Sequence, residues 1–193
     1  NLNSINKTYL WKIKIKKDNK VRKNLTLTGM MGVGKSTIGK KLAKKLKYNF
    51  IDIDKSIEIR EGMSIGLIFK NKSENYFRKI ESDITLLELK KDYSVISLGG
   101  GGFLNKAIRK NVKKLSFSFW LDVPIDELIK RLKNNRQRPL LYKKNIKETV
   151  KKIYFERKKI YNESDYRIKC DSLVSRDIAN KILNFYEKKN NTI

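Results

Sequence analysis

Apolar positions change their period repeatedly along the chain, and each change marks an element boundary. Short apolar runs at 25–28, 48–53, 93–98, 117–123 and 166–170 predict five buried strands. Between them, apolar residues recur at three- and four-residue spacing over 36–46, 55–60, 64–69, 74–90, 106–113, 146–161 and 176–187, which predicts helices. One more helix is expected to start at Pro124, whose fixed φ suits a first helical turn, and to end near 134. Strands alternating with helices argue for a three-layer α/β/α fold around a five-stranded parallel sheet. Two stretches break the pattern. Residues 1–23 are rich in Lys and Asn around an alternating Tyr9-Leu10-Trp11-Lys12-Ile13-Lys14-Ile15, and read as an edge strand or an attached arm, leaving 24–193 as the domain. Residues 134–145 are polar and basic apart from Pro139-Leu140-Leu141 and read as a mobile loop between two helices.

The junction of the first strand and first helix carries the clearest chemistry. Gly29-Met30-Met31-Gly32-Val33-Gly34-Lys35-Ser36 fits G-x-x-x-x-G-K-[ST] at every position. Glycines allow backbone N–H groups to converge on phosphate oxygens, and the helix N-terminus adds its positive end. Lys35 is expected at the β- and γ-phosphates of a nucleoside triphosphate, the Ser36 hydroxyl on Mg²⁺, and Thr37 on phosphate. The second predicted strand ends Ile51-Asp52-Ile53-Asp54. Strand ends in open α/β sheets face the ligand crevice, and strand alternation turns both carboxylates the same way. One would then serve Mg²⁺ and the other an acceptor hydroxyl; the competing reading is two solvated aspartates in a turn.

Further motifs follow in order: Phe77-Arg78-Lys79-Ile80-Glu81, Ser97-Leu98-Gly99-Gly100-Gly101, Arg138-Pro139-Leu140-Leu141, and Arg157 with Tyr161. With the phosphate loop and the paired aspartates, they resemble the motifs of the shikimate kinase family over about residues 24–187. The resemblance implies transfer of the γ-phosphoryl group of ATP to the 3-hydroxyl of shikimate. Asp54 would orient or deprotonate that hydroxyl, and Asp52 would act on Mg²⁺ through water. Arg78 and Arg157 would hold the shikimate carboxylate, for which a guanidinium fork suits better than an ammonium. Glu81 would fix Arg78, although the two alone read as an ordinary surface ion pair. Gly100 and Gly101 would offer backbone groups to a substrate hydroxyl, while Phe69 and Phe77 would pack on the ring. Arg138, or Arg136 in its place, would reach the transferred phosphoryl group from the loop 134–145, acting as a lid. Arg131 would stack on adenine. The chain departs from the family at Asp171-Ser172-Leu173-Val174-Ser175, where members often carry a proline-containing loop over adenine, and also at Gly102 and in its N-terminal arm.

Composition narrows the remaining classes. The single Cys170 excludes an intramolecular disulfide, and the absence of histidine excludes the usual Cys/His zinc sites. No apolar run reaches the roughly 18–20 residues of a membrane helix, and a monomeric cytoplasmic protein is expected. The net charge of +26 raises nucleic acid as a partner, but the charge is spread along the whole chain and resides mainly in lysine, so no specific nucleic-acid site is expected. The rivals are a gluconate-type or nucleotide kinase of the same fold, and a non-catalytic basic nucleic-acid-binding protein on a kinase scaffold. With 36 lysines against 10 arginines, each arginine is a candidate for a role that needs its planar fork.

Overall fold

In the computed structural model, the described residues are 22–133, 145–171 and 174–190. The predicted stretch at 9–15 and nearly all of the expected lid, including Arg136 and Arg138, lie outside them.

The sheet has five parallel strands in the order β2-β3-β1-β4-β5: β1 Asn24–Thr28, β2 Asn49–Asp52, β3 Ser94–Ser97, β4 Ser116–Asp122 and β5 Tyr166–Lys169. Every residue of β1, β3 and β4 is buried. Central strands buried on both faces need cover on both faces, which the helices supply. Leu25, Leu27, Val95, Ile96, Phe119, Trp120 and Leu121 form the middle of the core.

The described residues hold eight helices: α1 Lys35–Leu46, α2 Ile53–Glu61, α3 Ile65–Asn71, α4 Glu74–Glu88, α5 Lys106–Leu115, α6 Ile125–Lys133, α7 Ile146–Tyr161 and α8 Ser175–Asn190. Side chains of Asp52, Ser64, Ser73, Asn105 and Asn145 accept hydrogen bonds from first-turn N–H groups of α2, α3, α4, α5 and α7, so these starts are written locally. By contrast, α1 starts at Gly34, in the left-handed region at φ 95°, with no side-chain cap. A helix start of this kind turns its positive end toward an anion. Pro124 lies just before α6 and accepts from Leu128 N at 3.0 Å through its carbonyl.

One boundary differs from expectation in a way that matters. The second strand stops at Asp52, because that side chain caps α2, and Asp54 falls in the first helical turn instead of on the strand. The expected arm also gives way to anchored chain slightly early. Arg22 pairs with Asp165 at 2.7 Å and lies over the Phe117 ring, while Lys23 pairs with Asp92 at 2.9 Å. Asp165 also accepts from the backbone and hydroxyl of buried Ser118, at 2.8 and 2.7 Å. No helix among the described residues is long and apolar enough to cross a membrane.

These anchors lie at the amino end of β1, away from the phosphate loop at its carboxyl end. A chain starting at Arg22 is therefore expected to keep kcat within about twofold of the full chain, checked by steady-state kinetics. Asp165→Ala, which removes the carboxylate that accepts from the Ser118 N–H and hydroxyl, is expected to cost about 1–3 kcal/mol in denaturant unfolding.

Candidate active site

Two loops form the site, and both leave adjacent strands of the sheet. β1 and β3 pair in parallel with Leu27 opposite Ser97, and Leu98 N donates to Leu27 O at 3.1 Å. The phosphate loop after β1 and the glycine run after β3 therefore emerge side by side. They touch: a Cβ on Gly100 would come within 3.2 Å of Met31 N.

On the phosphate side, Gly29, Gly32 and Gly34 all take positive φ. Lys35 is 9% exposed, and its ammonium donates to Gly29 O and Met30 O at 2.9 Å each, which holds the charge at the loop. Val33 turns its side chain into the core, so its backbone alone belongs to the loop. Thr37 is exposed in the first turn of α1. The two expected metal ligands meet directly, Ser36 Oγ donating to Asp52 Oδ2 at 2.5 Å. A hydroxyl and a carboxylate fit Mg²⁺, which takes few protein ligands and completes its shell with phosphate oxygens and water. Among the described residues no cluster of three or more Asp, Glu, Cys or His forms a protein-only metal cage.

On the other side, three helices converge on the glycine run. A Cβ at Gly99 would lie 2.6 Å from both Asp54 Oδ1 and Glu81 Oε1, and a Cβ at Gly101 would lie 2.5 Å from Arg78 Nη1. Only glycine leaves room for these groups. Asp52 and Asp54 thus reach the site by different routes: Asp52 from the strand end toward Ser36, and Asp54 from α2 toward the glycine run. The shared strand face expected from alternation is not formed, because the helix starts between them.

Arg78 lies on α4, donating to Glu81 at 2.8 Å and to Glu74 at 3.3 and 3.1 Å. This is not the surface pair that the spacing alone suggested, since the Glu81 side chain is 3% exposed. Burial raises the Glu81 pKa; Arg78 opposes this and the nearby Asp54 charge adds to it. Arg157, on α7, donates to Gly100 O at 3.0 Å. Tyr161, one turn later, donates to the same oxygen at 2.5 Å. The Gly101 carbonyl accepts from Leu104 N and the Gly99 carbonyl from Gly102 N. The carbonyls of the run are therefore engaged internally, which leaves the N–H groups as the backbone groups that Gly100 and Gly101 would offer a substrate.

Phe77 is buried, packs against Phe69 with tilted rings whose centroids are 4.8 Å apart, and lies beneath the Arg78 guanidinium, so it supports the arginine from the core. Arg131 lies on the exposed face of α6 and donates to Glu127 at 3.0 Å. The same helix packs Leu128 and Leu132 around Gly32, which sets it beside the phosphate loop. Gly99 and Tyr161 were missed as site residues; the motif contained both, but their contacts lie far apart in sequence.

A sequence model described as shikimate kinase matches residues 31–187. The chain belongs to the shikimate kinase family. A relative named shikimate kinase from Persephonella marina is 42% identical over 161 residues, covering 83% of this chain and 97% of its own length. Another, from Thermodesulfovibrio yellowstonii, is 37% identical, with 88% and 98% covered. The solved structure of a shikimate kinase from Acinetobacter baumannii in complex with shikimate superposes with a TM-score of 0.84 at 29% identity, covering 90% of this chain and 97% of that one. A gluconokinase from Sinorhizobium meliloti, at TM-score 0.51 and 14% identity over 82% of this chain and 88% of its own, shares the fold alone.

For this shikimate kinase family member, the contact between Gly101 and Arg78 gives a direct test. Gly101→Ala is expected to push the Arg78 guanidinium aside, raising the KM of the acceptor at least about tenfold with the KM of ATP unchanged within about twofold. Steady-state kinetics with each substrate varied would check it.

Proposed function

We propose that the chain transfers the γ-phosphoryl group of ATP to the 3-hydroxyl of shikimate, giving shikimate 3-phosphate and ADP. One observation carries this reading. Two arginines, Arg78 and Arg157, meet a carboxylate, Asp54, around a glycine run that touches the phosphate loop. Two guanidinium forks suit a carboxylate-bearing acceptor, and Asp54 suits the hydroxyl that attacks.

In this reading Gly29, Gly32, Val33, Gly34, Lys35, Ser36 and Thr37 hold the phosphates, with Lys35 neutralising the charge that builds on the transferred group. Ser36 and Asp52 would hold Mg²⁺, which supplies charge neutralisation on the phosphate oxygens when bound. Arg78, oriented by buried Glu81, and Arg157 bind the shikimate carboxylate. Gly100 and Gly101 donate backbone N–H groups, and Asp54 orients the 3-hydroxyl and accepts its proton. Arg131 serves adenine and Arg138 the transferred phosphoryl group; both roles rest on the family resemblance, and Arg138 lies outside the described residues. Holding the two substrates in line supplies most of the rate. That the chain is a monomer rests on the sequence reading. A place in the cytoplasm, and the lack of a specific nucleic-acid role, rest on the sequence reading alone.

A coupled ADP assay with shikimate, gluconate and nucleoside monophosphates tests the substrate. Shikimate is expected to exceed the others by at least about 100-fold in kcat/KM, since the arginines and Asp54 require a carboxylate and a hydroxyl at one fixed separation, which neither an open-chain gluconate nor a nucleotide presents. Comparable turnover of gluconate or a nucleotide would overturn the reading. The two halves of the site are expected to fail differently. Arg78→Lys keeps charge but loses the fork, raising the shikimate KM with the ATP KM unchanged. Asp54→Asn is expected to lower kcat by roughly 10²–10⁴ if the carboxylate acts as the base.

A further inference from the structure

Tyr161 is wholly buried in the last turn of α7, under the glycine run, with its ring 6.1 Å from that of Trp120. Its hydroxyl lies 3.9 Å from Met30 Sδ of the phosphate loop and donates to Gly100 O. Arg157, four residues earlier on the same helix, donates to that same oxygen at 3.0 Å. One carbonyl thus takes both donors, and the helix that presents them is the first element after the stretch expected to form the lid. The phenol is surrounded by the charged groups of the acceptor side: Arg157, Glu81 and Arg78 all act on it. Burial chiefly raises its pKa above the ordinary phenol value, so the hydroxyl stays protonated and remains a donor at working pH.

Two consequences follow from elementary geometry. The Gly100 carbonyl and the Gly101 N–H belong to one planar trans peptide and point in opposite directions. Fixing the carbonyl toward α7 therefore fixes the Gly101 N–H on the opposite side of the run. Glycines on both sides of that peptide give it little resistance of its own to rotation. Second, a carbonyl oxygen has two acceptor lobes. With Tyr161 on one, Arg157 needs only one N–H for the other, and the rest of its fork is available to a carboxylate.

We infer that Tyr161 is a positioning residue for the acceptor: its hydroxyl fixes the Gly100–Gly101 peptide and, through the shared carbonyl, the orientation of Arg157. The role rests on the activity proposed above. It extends that reading to a group that touches neither substrate. Tyr161 also links the acceptor side to Met30, so the clamp is tied to the phosphate loop without belonging to it.

Tyr161→Phe keeps the ring and removes the hydroxyl alone. The expected result is a rise of about three- to tenfold in shikimate KM, the worth of one neutral hydrogen bond, with the ATP KM within about twofold. The double variant with Arg157→Lys is expected to show less than the product of the two single effects, because both act through one oxygen. An unchanged shikimate KM in Tyr161→Phe, with wild type active on shikimate, would overturn this role and leave the proposed activity standing. A joint rise of both KM values with a lowered melting temperature would overturn it as well, by making the tyrosine a packing residue. Wild type without activity on shikimate would overturn both. Amide hydrogen exchange gives a readout independent of turnover: the Gly101 N–H is expected to exchange faster in Tyr161→Phe while the β1 and β3 amides stay protected, and equal Gly101 exchange in the two proteins would overturn the role.

Discussion

Parallel pairing of β1 with β3, with Leu27 opposite Ser97, is the constraint on which the site depends. Parallel strands end on the same edge of the sheet, so the loops that follow them must share one crevice. Here one loop is built to surround phosphate and the other is a run of glycines. The missing side chains matter because the second loop lies within van der Waals reach of the first, and because two carboxylates and a guanidinium occupy the places where Cβ atoms would be. The helix α1 adds an N-terminus that no side chain caps, in a protein whose other described helix starts are largely self-capped. The same edge therefore gathers the positive end of a helix, an ammonium and a compact backbone surface.

Charge is distributed over this crevice with a division of labour. Lys35 and the α1 N-terminus make the β1 side favourable for phosphate. Across from them, Arg78 and Arg157 arrive from α4 and α7. Arg78 is held by Glu81, a carboxylate buried deeply enough that desolvation raises its pKa. A buried carboxylate is costly, and a purely structural helix contact would not need one. It makes sense as a device that keeps a guanidinium in one orientation, and the Arg78 side chain remains 31% exposed toward the crevice. The arginines of the crevice are held by named partners, Arg78 by Glu74 and Glu81 and Arg157 by Gly100 O.

Much of this was legible in the sequence because it was encoded locally. The five strands and eight described helices were anticipated by changes of period, with ends shifted by a few residues, and the phosphate loop by its spacing. Capping residues explain the shifts: Asp52 ends a strand by starting a helix, which alternation read as one longer strand. What could not be read were contacts made by absence or by burial. Nothing local distinguishes Gly99, whose missing Cβ admits Asp54 and Glu81, from any glycine after a strand. Nothing in a three-residue helical spacing says that Glu81 is buried when so many such pairs are solvated. Tyr161 resembled a motif residue without an evident role, because its partner oxygen lies 61 positions away in the chain.

The central claim is that one crevice reads a carboxylate on one side and delivers a phosphoryl group from the other, with the glycine run between them. The most direct measurement is a crystal structure of the chain with ADP and shikimate both bound. The account predicts the shikimate carboxylate between the Arg78 and Arg157 guanidinia, its 3-hydroxyl on Asp54, and the β-phosphate in the loop at Lys35. A carboxylate bound away from both arginines, or a 3-hydroxyl directed away from Asp54 and the phosphate loop, would contradict it.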